Sequence, residues 1–159
     1  LGDVYKRQAK ACGPKGMVEG QNLDIKAENK KLNELQLDKV HYLKTGKLIE
    51  ACVLSVCLLK KKIKKDEIDK LIRFSKKFGL AFQIRDDILD VIGDEKNIGK
   101  PVGSDQNKNK STYPSILGLE KSQKKAQKLA DTGIKILKSL PYDTKKLEDL
   151  CKLIVERQS

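Results

Sequence analysis

Asp86, Asp87 and Asp90 close an apolar stretch, FQIRDDILD, and are the residues here most able to do chemistry. On a helix, positions i and i+4 share a face, as do i and i+3, so Asp90 aligns with both Asp86 and Asp87. Gln83 lies one turn earlier. Three carboxylates this close repel one another, and an apolar helix makes their desolvation costly, so a cation is needed to offset the charge. Hard oxygen donors on a rigid element suit Mg²⁺, which keeps several waters and is usually held by one or two carboxylates plus substrate phosphates. A segment with Gly93, Gly99 and Gly103 comes next, carrying Lys100 and Lys110. Lysine binds phosphate as a point charge. The spacing alone equally admits an acidic helix end followed by a solvated basic loop.

The elements that must position these residues read as helices. Leu1 to Gln8 shows no helical period. From Ala9 to Ile25 the sequence contains CGPKGMVEGQNLDI, where Pro14 is expected to start or kink a helix and the glycines allow close approach of another backbone. A long helix is expected from Leu32, with Asn33 or the preceding lysines near its start, through HYLKTGKLIEACVLSVCLL. Its second half, apolar almost all round, is expected to be buried centrally, with Cys52 and Cys57 as small core residues. Lys60 to Lys65 reads as a solvated turn, and Asp66 as the cap of the next helix. That helix carries Ile68, Leu71, Ile72 and Phe78 into the aspartates, with Gly79 marking a kink or a close contact, and Gly93 ends it. A short segment surrounds Pro114. A further helix is expected over Glu120 to Leu140, and Pro141 breaks it. Asp143 or Thr144 caps a last helix with Leu147, Leu150, Ile154 and Val155 on its apolar side.

Composition narrows the class further. The 159 residues hold one domain's worth of core, 4% aromatic and without Trp, so the core must be aliphatic and the fold all-α. The net charge of +12 admits nucleic acid, an anionic membrane or phosphorylated substrates. The cations are almost all lysine, with arginine only at positions 7, 73, 85 and 157, whereas nucleic-acid readers favour arginine for bidentate contacts. A nucleic-acid partner is therefore disfavoured. Cys12, Cys52, Cys57 and Cys151 form no CxxC pair and His41 is the sole histidine, so zinc is unsupported. Reduced thiols and the absence of a signal peptide or a roughly 20-residue apolar run fit a cytoplasmic protein without a membrane span.

Taken together, FQIRDDILDVIGD, the later GK and DQNKNKSTYPSILGL resemble the second aspartate-rich region of the trans-isoprenyl diphosphate synthases, most of all the bacterial farnesyl type. GMVEGQNLDI resembles the family's GMxxGQxxDL helix, placing Gln21 by the isoprenoid pocket; for Asp24 ordinary helix packing is the preferred reading. Lys44-Thr45-Gly46 resembles the family's KT motif. The resemblance implies an all-α isoprenoid synthase-type helical bundle around a central cavity, and condensation of isopentenyl diphosphate with an allylic diphosphate. It also implies Mg²⁺ at Asp86, Asp87 and Asp90. Lys44, Lys100 and Lys110 would hold the diphosphate, with Thr45 and Gln83 alongside, and Lys44, Lys100 and Asp86 would carry the catalysis. His41 receives no role, and the two C-terminal helices read as scaffold.

The family has a first DDxxxxD motif on a facing helix, whereas DD occurs here only at Asp86-Asp87. Residues 9–159 thus read as the C-terminal half of a polyprenyl synthase domain, with residues 1–8 unassigned. By itself this half is expected to be inactive, and the full-length protein is expected to be a homodimer. A longer-chain prenyl synthase shares every motif named, a non-catalytic partner subunit of a prenyl synthase is a second alternative, and a basic helical nucleic-acid-binding module is the alternative outside the family.

Overall fold

A computed structural model describes residues 2–60, 62–92 and 110–157; among these every regular element is helical. The order is α1 (Gly2–Cys12), α2 (Met17–Lys26), α3 (Glu34–His41), a π-helical turn (Tyr42–Gly46), α4 (Lys47–Leu59), α5 (Lys65–Ile92), α6 (Tyr113–Leu117), α7 (Leu119–Lys138) and α8 (Lys145–Glu156). The expected all-α class holds among the described residues. Lys100 and the glycines at 93, 99 and 103 lie outside them.

Local chemistry sets most of the boundaries. Asn33 opens α3 with a reciprocal capping box: its side chain accepts from the Gln36 amide at 2.9 Å, and its own amide donates to Gln36 Oε1 at 2.9 Å. Thr112 and Ser115 do the same for α6. At α8 the Asp143 side chain accepts from the Lys145 amide at 3.0 Å. The long α5 starts differently from the sequence expectation. Asp66 sits inside its first turn, and Glu67 instead reaches back to accept from the Lys64 amide at 3.0 Å.

Helix α5 is the spine. Its residues Ala81, Ile84 and Ile88 pack with Leu37, Tyr113, Ala126, Leu129 and Ile154, while Phe74 joins Ala130, Leu137, Leu140 and Cys151 in a second cluster. Small Ala126 and Ala130, four residues apart on α7, bring that helix close along α5. Burying a side chain such as Ile84 completely contributes about 1.5–3 kcal/mol. On the other side of α5, Gly79 meets the π turn: a Cβ there would lie 3.3 Å from Gly46 Cα.

Four further expectations are corrected. Residues 2–8 are helical and belong to α1, which packs against α4. Such a short helix gains its stability from a packed face rather than from a strong local pattern. The α1 helix stops at Cys12, and Pro14 falls in the turn before α2, because its missing N–H and ring disfavour helix continuation. Helix α4 is not buried all round: Leu48, Cys52, Val56 and Leu59 form an outward stripe, with Val56 67% exposed. Of its two cysteines only Cys57 is core. In α8 the inward residues are Cys151 and Ile154, while Leu147 and Leu150 are exposed, because the helix presents a narrower face to α5 and α7 than its leucines occupy.

Two glycines make opposite predictions. A Cβ at Gly20 would lie 2.2 Å from the Lys44 backbone nitrogen, so α2 must move away. Gly20→Ala is expected to cost at least about 1–3 kcal/mol in urea unfolding, the range for an overpacked contact. At Gly79 the gain of about 0.5–1 kcal/mol for Ala in a helix opposes the mild 3.3 Å contact, so Gly79→Ala is expected to be near neutral. Equal effects at the two positions would contradict this ranking.

Candidate functional site

The candidate site forms where the π turn passes between α2 and α5. The Lys47 amide reaches the Tyr42 carbonyl five residues back, so the turn carries one residue more than an α-helix would. Gly20 of α2 lies against the Lys44 backbone, and one turn further along α2 stands Asp24. The next residue in the π turn, Thr45, faces α5 instead. Its hydroxyl donates to Gln83 Oε1 at 3.1 Å, so two sequence-predicted substrate residues bond each other.

Lys44 Nζ donates to Asp24 Oδ2 at 2.9 Å, and Lys110 Nζ donates to the same oxygen at 2.8 Å. Lys110 also lies 3.6 Å from Glu28 Oε1. Burial alone would push the Asp24 carboxyl up, but the hydrogen bonds from Lys110 and Lys44 outweigh it and hold the group below its usual range. Both lysine bonds end on one oxygen. The ammonium groups therefore stand no more than about 6 Å apart, where like charges repel by about 3 kcal/mol at an effective dielectric of about 20. Solvent around Lys44, 36% exposed, screens part of this, and Asp24 offsets the rest.

The three motif aspartates differ sharply in surroundings. Asp87 is buried; its Oδ2 accepts from the Tyr113 amide at 2.9 Å and lies 3.2 Å from His41 Nε2. Burial raises the Asp87 carboxyl above its ordinary range; His41 opposes the rise, and the charges of Asp90 and Asp24 add to it. The His41 ring stacks on Tyr113 with centroids 5.8 Å apart, and the Tyr113 hydroxyl donates to Asp38. Asp90 is buried as well. The Asp86 side chain is 45% exposed and stands 3.6 Å from Arg157 Nη2. Arg157 in turn lies over the Phe82 ring at 4.5 Å, and its carbonyl accepts from Arg85 Nε at 3.1 Å.

Lys44 and Lys110 thus meet at Asp24 on one side of the π turn, and Thr45 meets Gln83 on the side facing α5, whose C-terminal third carries the aspartates. Gln21 is exposed on α2 and takes part in none of these contacts. Sequence reasoning passes over three participants. It takes Asp24 as packing, gives His41 no role, and treats α8, which Arg157 follows, as scaffold. The signal for Asp24 is its spacing: it lies four residues after the small Gly20, on the same helix face. Among the described residues no group of three or more His, Cys, Asp or Glu converges tightly enough to hold a metal ion unaided. Mg²⁺ needs only one or two carboxylates when phosphate oxygens complete its shell, so the half-exposed Asp86 fits that mode.

Comparison with known proteins gives this geometry a context. The polyprenyl synthetase family model matches residues 5–154. A farnesyl diphosphate synthase of Geobacillus stearothermophilus is 41% identical over 154 residues, which cover 97% of this chain and 52% of that protein. One from Escherichia coli is 43% identical over 152 residues, covering 94% and 51%. The chain spans about half the length of these relatives. A crystal structure of Helicobacter pylori geranyltransferase, complexed with magnesium and isoprenyl diphosphate, superposes with a TM-score of 0.81 at 33% identity; the match covers 96% of this chain and 50% of that one.

The unequal burial of the aspartates predicts unequal effects on stability. Asp87→Ala strips the buried His41 and the Tyr113 amide of a partner and is expected to cost about 1–3 kcal/mol in chemical denaturation. Asp86→Ala, at a half-exposed site, is expected to stay within about 0.5 kcal/mol of the parent. A reversed order would remove the scaffold role from Asp87.

Proposed function

The chain belongs to the polyprenyl synthetase family, and from that premise we propose that it supplies one half of a prenyltransferase domain joining isopentenyl diphosphate to an allylic diphosphate. The observation that carries this reading is the convergence of Lys44 and Lys110 on one oxygen of Asp24. Two ammonium groups held side by side suit a poly-anionic ligand, and the half-exposed Asp86 of α5 suits the divalent cation that accompanies it.

In this reading Lys44 and Lys110, joined by Lys100, hold the diphosphate of the allylic substrate. The Thr45–Gln83 pair orients the same end of the substrate, and Gln21 lies toward the isoprenoid chain. Asp86 is the main carboxylate toward magnesium, with Asp90 one turn behind it; Asp87 contributes chiefly by fixing the helix against His41 and Tyr113. Magnesium, when bound, supplies charge neutralisation for the departing diphosphate. No protein nucleophile is needed, since the reaction requires a grip on the leaving group and exclusion of water from the allylic cation. The apolar α5 segment through Ile84 and Ile88 supports a dry interior behind the aspartates. A farnesyl product is favoured by the relatives at 41% and 43% identity. The four free thiols favour a cytoplasmic setting, and a homodimer rests on the family resemblance alone.

The test is a chimera in which this chain replaces the matching half of the Geobacillus relative. With Mg²⁺, it is expected to transfer isopentenyl units to geranyl diphosphate. Asp86→Ala is expected to lower kcat by on the order of 10²–10³, the size of one lost transition-state contact. Lys44→Gln is expected to raise the allylic KM, while Lys62→Gln, on the solvated surface, changes neither constant. An inactive chimera, or an Asp86→Ala variant with full kcat, would refute the assignment.

A further inference from the structure

Asp24 is a carboxylate that the proposed reaction does not use, yet it holds both described lysines of the diphosphate site. We propose that Asp24 is a positioning residue that keeps Lys44 and Lys110 together as a two-cation cradle, so that one diphosphate meets both ammonium groups at once. The proposal rests on the diphosphate reading given above and adds a residue to it.

The geometry carries the inference in three steps. First, the two lysines come from separate places: Lys44 lies in the π turn, and Lys110 precedes α6. No shared backbone fixes their spacing, so a side chain must do so. Second, both bonds fall on one oxygen, Oδ2, at 2.9 and 2.8 Å. A single acceptor thereby brings two long, flexible side chains to one point and removes rotamer freedom before a ligand arrives. Third, an ammonium group carries three N–H donors, so one side chain can bond Asp24 and a phosphate oxygen at the same time; Lys110 also stands 3.6 Å from Glu28 Oε1. Asp24 is itself held in place. It lies four residues after Gly20, whose lack of a side chain seats α2 against the Lys44 backbone.

The rival role is competition, in which Asp24 occupies the lysines and must be displaced by the ligand. The two roles differ in sign. If Asp24 positions, its loss weakens anion binding; if it competes, its loss strengthens binding.

The experiment is titration of this chain with inorganic pyrophosphate and Mg²⁺, followed by calorimetry and by ³¹P line shape. The wild-type chain is expected to bind. Asp24→Asn is expected to bind at least about tenfold more weakly, a change typical of losing an organised charge-assisted contact, and Asp24→Glu to recover part of the loss. A thermal midpoint measured for each variant separates loss of fold from loss of binding. In a Lys44→Gln, Lys110→Gln background, Asp24→Asn is expected to have no further effect, because its action runs through those side chains. Equal or tighter binding by Asp24→Asn would overturn the positioning role and leave the diphosphate reading standing. Undiminished sensitivity in the double-lysine background would likewise overturn it. Absence of pyrophosphate binding by the wild-type chain would take down both.

Discussion

The structure around the candidate site depends on one costly fact, a carboxylate buried in the C-terminal third of α5. Asp87 has almost no access to water, and its burial is tolerable only because polar partners come to it. His41 arrives from the end of α3 and the Tyr113 amide from the start of α6, so three elements distant in sequence are fastened to one side chain. The stacking of His41 on Tyr113 closes the arrangement from the far side. With α3 and α6 fixed in this way, the residues just beyond them are fixed as well. The π turn starts directly after His41, and Lys110 comes three residues before Tyr113. The site for an anion is thereby organised by the satisfaction of a buried acid.

Charge at the site is arranged in pairs rather than as a field. Lysines are abundant, and several of them form solvent-screened contacts such as Lys124–Glu120 and Lys145–Asp149. Lys110 differs because its side chain is mostly buried, at 14% exposure. Burial removes the screening, so its carboxylate partner matters more than the partners of the surface lysines. The same contrast separates Asp86 from its two motif neighbours.

The sequence reveals those relations that lie within one helical turn. The Asn33 cap, the break at Pro141, the shared face of Asp86 and Asp90 and the close contact at Gly79 all obey local rules. Relations between turns are less legible. Nothing in DDILD tells which carboxylate is buried, because that depends on where Tyr113 and His41 come to rest. The α1 helix has little pattern of its own and takes its order from α4, and the exposed side of α4 looks in sequence like core. Asp24 is the largest omission. A lone acid in a helix has many surface explanations, and its two lysine partners lie 20 and 86 positions away.

The π turn has an evolutionary consequence. One extra residue in the path of a helix rotates the segment after it by roughly 100° relative to the segment before it, the increment of a single residue. Here that extra residue lets Lys44 face α2 while Thr45 faces α5. Deleting any one residue between Tyr42 and Gly46 would restore a regular helix. It would also turn α3 relative to α4, so that the fastening at His41 and the glycine contact at Gly46 could not both be kept. Point substitutions can drift through this segment, but changes in its length are closed to it. Lineages descending from this chain are therefore expected to vary in the letters of YLKTG long before they vary in its count.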